Sequence, residues 1–122
     1  MGNPRRSKVR DARIVNEIIV DAYGEAEQTM GWYYYLENKL VVPFKARCTK
    51  QRPISPLTVG EPVEVLGMAP EDECQHEMFV WVNAHDRRIA IPLSQLKPIS
   101  SDPETLEAVE DWHYWVQQRN PF

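Results

Sequence analysis

Glycine is scarce in this chain, five residues in 122. That leaves no phosphate-cradling glycine loop and no dinucleotide fingerprint, both of which need glycines at fixed spacing. There is no G-x-S-x-G elbow, and nothing beside Cys48 or Cys74 would lower a thiol pKa toward that of a nucleophile. No enzyme is expected. The two cysteines allow at most one disulfide, and two reduced thiols are the expected state. Cys48, Cys74, His76 and His113 do not pair at the spacing of a structural zinc site, so zinc is not expected. No apolar run approaches the roughly 18 residues that cross a bilayer, and MGNPRRSKVR lacks the apolar segment of a signal peptide. The expected compartment is the cytoplasm, with no membrane contact.

What is present is one domain's length of chain, 43% hydrophobic, enough to bury a core without staples. The net charge of −4 hides an asymmetry. Residues 1–13 set Arg5, Arg6, Lys8, Arg10 and Arg13 against Asp11, a local sum of +4, so the rest carries −8. Such a body repels nucleic acid and attracts cations. We therefore expect a basic, flexible arm over 1–13 and a single domain over 14–122.

Apolar residues Ile14, Val15, Ile18, Ile19, Ala22 and Tyr23 repeat at helical spacing and predict a first helix over Val9–Tyr23, with Gly24 as a left-handed cap. A second helix is expected from Glu25 to about Leu40. Its acidic first turn suits the helix dipole, and Ala26, Met30, Tyr33, Leu36 and Leu40 mark its inner face. The run Trp32, Tyr33, Tyr34, Tyr35 covers most of a helix circumference, so this helix should be buried on more than one side. Gly31 within it predicts a close helix crossing. Beyond Pro43 the pattern turns to strands: FKARC, EPVEVLGM, EMFVWVNA and RIAIPL, with a tight turn at His85-Asp86 and a 3₁₀ turn over Pro92–Leu96. Ser101 and Glu104 have capping-box spacing at the start of a C-terminal helix. The expected fold is α+β: an N-terminal helical hairpin packed on a small SH3-like antiparallel β-barrel, with a C-terminal helix.

Hard oxygen donors gather in two places. One is the helix corner, with Asp21, Glu25 and Glu27, extended by Glu37 and Asn38 at the far end of the second helix. The other is the Glu71-Asp72-Glu73 loop. Calcium needs about six to eight oxygens, and carboxylates on loops supply them. On composition alone, helix capping and ordinary solvated acids account for the same residues more simply, because surface carboxylates are common. No EF-hand loop spacing occurs.

The segments EIIVDAYGEAEQTMGWYYYLENKLVVPFKARC, ISPLTVGEPVEVLGMAPEDECQHEMFVWV, RRIAIPLSQLKPI and EDWHYWV resemble the small bacterial calcium-binding proteins of the CcbP type, from about Ile14 to Trp115. The resemblance implies a compact domain that binds calcium through acidic residues without an EF-hand, and no enzymatic activity. The expected function is then a low-affinity calcium buffer or sensor, with Asp21, Glu25, Glu27, Glu37, Asn38, Glu71, Asp72 and Glu73 as candidate ligands. Magnesium takes the same oxygens and stays open beside calcium; an unidentified protein partner would receive any signal. The alternative is an SH3-like interaction module for protein or nucleic acid that needs no metal, supported by the basic arm and by Trp81 as a stacking surface.

Overall fold

A computed structural model describes residues 8–20, 24–100 and 102–119. Its elements run α1 (Lys8–Arg13), a π-helical segment (Ile14–Ile18), α2 (Glu25–Lys39), β1 (Phe44–Cys48), β2 (Pro62–Met68), a 3₁₀ turn (Glu71–Cys74), β3 (Phe79–Ala84), β4 (Arg87–Pro92), a second 3₁₀ turn (Leu93–Gln95), β5 (Leu96–Ser100) and α3 (Pro103–Arg119).

The strands form one antiparallel sheet in the order β4-β3-β2-β1-β5. Alternation sets the faces. Phe44, Ala46 and Cys48 of β1 point into the core while Lys45 and Arg47 face water. In β2 the register slips between Val65 and Gly67, where Gly67 takes φ 151°, and this bulge bends the strand. His85 and Asp86 (φ 52° and 61°) turn β3 into β4 as a two-residue hairpin, as the sequence predicts.

The expected closed barrel does not form. Among the described residues no ladder joins β4 to β5. The 3₁₀ turn Leu93–Gln95 instead carries the chain from one sheet edge to the other. Its three residues are all buried, and Gln95 Nε2 donates to Lys50 O at 2.9 Å.

Helices cover the core. Trp32 of α2 meets Trp112 and Trp115 of α3 at ring-centroid distances of 5.2 and 5.8 Å, and Tyr35 edge-on at 5.9 Å. Trp32, Tyr33, Tyr35 and Leu36 are buried and Tyr34 alone of the aromatic run is exposed, so α2 is indeed enclosed on more than one side. The predicted close crossing at Gly31 is present: a Cβ there would lie 2.4 Å from the Ile18 carbonyl oxygen.

Three local expectations change. The first helix is α only to Arg13, then widens to π geometry, with Ile19 N–H bonding to Ile14 O at 2.9 Å; its predicted end, residues 21–23, lies outside the described residues. Gly24 is no left-handed cap. With φ −125° and ψ 167° it is the N-cap of α2, because that helix starts at the next residue, and its carbonyl accepts from Gln28 N–H at 3.0 Å. At α3 the Asp102 carboxylate caps the backbone N–H groups of Glu104 and Thr105, both at 3.1 Å, with Pro103 at the first helical position; Ser101 lies outside the described residues. Of the expected basic arm, residues 1–7 also lie outside them. Lys8–Arg13 form α1, whose Arg10 and Arg13 reach a carboxylate on α3.

Candidate cation-binding cleft

The acidic turn is held by one inward residue. Pro70, exposed and extended, leads into the turn, and Cys74, fully buried, ends it, its Sγ accepting from Phe79 N–H at 3.3 Å. With Cys74 facing in, Glu71, Asp72 and Glu73 all face water. Burial raises the Cys74 thiol pKa, as suits a structural cysteine. Both cysteines are free.

Helix α2 lies against this turn and is pinned there by neighbouring tyrosines. Tyr33 Oη donates to Ala69 O at 2.8 Å, and Tyr34 Oη donates to Glu71 Oε1 at 2.7 Å. Burial, then the charge of Glu37, raises the Tyr33 phenol pKa. That of Tyr34 is raised chiefly by its hydrogen bond to Glu71 and by that carboxylate's charge, with a smaller push from Glu37.

Between helix and turn opens a cleft of about 590 Å³. Glu25, Ala26 and Met30 form one wall, and Glu71, Asp72, Gln75 and His76 form the other. The two acidic groups expected from the sequence thus meet across one space, through Glu25 on one side and Glu71 with Asp72 on the other. Glu73 is exposed on the same turn without lining the cleft. Glu27 turns back toward the helix start: its Oε1 lies 3.9 Å from where a Cβ on residue 24 would stand. Glu37 and Asn38 are exposed two and more helical turns further along α2. Asp21 lies outside the described residues. Among the described residues no three His, Cys, Asp or Glu side chains converge on one point, so the cleft presents carboxylates facing one another rather than a finished cage.

Tyr34, Gln75 and the placement of His76 and Met30 were not singled out as site features by sequence reasoning. A signal existed for part of this: Ala26, Met30 and Tyr34 recur every four residues and so form one stripe along α2. Elsewhere, Arg88 stacks over Trp81 with its guanidinium carbon 4.6 Å from the ring centroid, covering one face of the surface that base stacking would use.

No helix among the described residues is long and apolar enough to cross a membrane. No curated protein matches the chain. Two solved structures are similar to it over 96% of each chain: the crystal structure of Anabaena CcbP, at 42% identity and a TM-score of 0.84, and a calcium-binding protein in its calcium-binding form, at 40% and 0.83. The family model for calcium binding of the CcbP type spans residues 12–116. The chain belongs to the CcbP family of calcium-binding proteins.

Proposed function

We propose that this protein binds calcium in the cleft between α2 and the Glu71–Cys74 turn, with Glu25, Glu71 and Asp72 as its carboxylate ligands. The observation that carries this reading is the meeting of those residues, distant in sequence, across one space. The donor set fits the ion. Glu25 supplies a carboxylate on one wall and Glu71 with Asp72 supply two on the other, each carboxylate can give two of the roughly six to eight oxygens calcium takes, and the Gln75 amide oxygen can add a neutral donor. Glu27, Glu37 and Glu73 add negative charge around the cleft without lining it, Asn38 adds a neutral oxygen further along α2, and Asp21 stands four residues before Glu25 in the sequence. Because the walls are not drawn together, the site is of low affinity and suits a buffer or sensor. Two buried free thiols support a cytoplasmic setting.

The test is calorimetric titration of chelator-stripped protein with calcium, repeated in excess magnesium. Saturable binding that survives magnesium and is lost in Glu71→Gln and Asp72→Asn, but kept in Glu37→Gln, is the expected result. Unchanged binding in the first two variants would overturn the assignment.

A further inference from the structure

Asp111 of α3 is fully buried, yet its carboxylate gathers partners from two other helices. Arg13, where α1 ends, grips it with both arms of its fork, Nε to Oδ2 at 3.0 Å and Nη2 to Oδ1 at 2.8 Å. Arg10 adds Nη1 at 3.3 Å from Oδ1, and Tyr35 of α2 donates to Oδ2 at 3.2 Å. One side chain therefore ties both α1 and α2 to α3. Just past Arg13, the Ile18 carbonyl is wedged against Gly31 of α2 with no space for a Cβ.

These contacts hold the face of α2 opposite the cleft. On the cleft side, Tyr33 fixes the helix to Ala69, the residue before Pro70 and the acidic turn. Glu25 is the first residue of α2, about 15 Å along a rigid helix from Tyr35 at 1.5 Å per residue. A helix pinned near Tyr33 and braced at Gly31 and Tyr35 carries any shift of the brace to its Glu25 end. We infer that Arg13 and Asp111 are positioning residues: they set the Glu25 wall against the Glu71 wall, and so couple α1 to calcium occupancy of the cleft. The inference rests on the cleft being the calcium site. Coupling between sites is reciprocal. The clamp strengthens calcium binding, and bound calcium tightens α1, which makes the basic first helix the element that responds to the ion.

The test uses the full chain. Calcium affinity is measured by calorimetry for the wild type, Arg13→Gln, Arg13→Lys, Glu71→Gln and Asp72→Asn, and amide exchange over residues 8–18 is followed with and without calcium. Calcium is expected to slow α1 exchange in the wild type. Arg13→Gln should weaken calcium binding about fivefold or more and abolish that calcium-dependent slowing, and Arg13→Lys, which keeps charge but not the fork, should fall between. A merely structural clamp would lower stability and leave α1 exchange with only the uniform slowing that mass-action stabilisation gives amides exchanging through global unfolding, for which the β3–β4 amides are the reference. Wild-type affinity in a cooperatively folded Arg13→Gln protein overturns the inference. So does wild-type α1 exchange that calcium slows no more than it slows the β3–β4 amides, a readout that stands even if the variant does not fold. If Glu71→Gln and Asp72→Asn bind like the wild type, the cleft reading itself has failed. If they lose binding while Arg13→Gln keeps it, only the clamp has failed.

Discussion

Tyr34 reaches from α2 to Glu71 and donates its hydroxyl proton to Oε1 at 2.7 Å, so the exposed member of the aromatic run is the one that touches the acidic turn. Ionising that phenol would cost it a hydrogen bond and place two negative charges together, which is why its pKa stands above the ordinary tyrosine value. Ultraviolet titration of Glu71→Gln should show one phenol returning toward its usual range. An unchanged titration curve would show that the bond does not persist in solution.

Calcium should stabilise the fold by mass action. At about a hundred times the dissociation constant the gain is about 2.7 kcal/mol, read as a higher melting temperature that chelator reverses. Glu71→Gln and Asp72→Asn should reduce this gain and leave the metal-free melting temperature nearly unchanged, because both residues are exposed.

Gly31→Ala and Gly24→Ser should act in opposite directions. Alanine improves helix propensity by about 1 kcal/mol, but its Cβ would collide with the backbone at Ile18, so the net effect is a loss of about 1–3 kcal/mol. At Gly24 the nearest atom is Glu27 Oε1 at 3.9 Å, which leaves room for a serine cap worth a few tenths of a kcal/mol. Urea unfolding of the two variants decides both signs.

Asp86→Gly should stabilise the β3–β4 hairpin. Asp86 holds φ 61° in a two-residue turn where glycine meets no steric penalty, so the expected gain is up to about 1 kcal/mol. A fall in melting temperature would mean that the aspartate side chain stabilises this turn more than its backbone strain costs.

Stability should decline in mild acid because of His113. Burial holds its pKa below the ordinary histidine value, against the opposing effect of the Leu93 carbonyl, which lies 3.3 Å from Nε2. The unfolded chain takes up the proton near pH 6.5 and the folded chain resists it. The contribution is therefore whole above about pH 6.5 and is lost as pH falls toward the folded pKa. Denaturant midpoints should show this slope in the wild type and a flatter one in His113→Gln.

Sequence patterns were legible where neighbours along the chain decide the outcome. The inward alternation of Phe44, Ala46 and Cys48, the turn at His85-Asp86 and the close approach at Gly31 all follow from local periodicity or a missing side chain. The two acidic groups were visible as groups, but their meeting across a cleft depends on how α2 lies on the sheet, which no local spacing records. Barrel closure failed as an expectation for the same reason, since it turns on whether two distant edges pair. The Arg13–Asp111 pair spans 98 residues of sequence, and Asp111 looks like any helix acid among EDWHYW until its burial is known. Arg10 and Arg13 read as solvated charges only while that partner was unseen.

Strand β1 sits between β2 and β5, and β5 is made after every other strand of the sheet. During vectorial synthesis the β1–β4 meander can assemble as it emerges, but the outer edge of β1 stays open until Leu96–Ser100 arrives, and the tryptophan-rich helix that covers the core follows later still. An open strand edge beside uncovered apolar side chains is a template for pairing with another chain. A nascent or prematurely terminated product that stops before Leu96 should therefore engage chaperones or self-associate, and β5 with α3 acts as the closure of this sheet and its core.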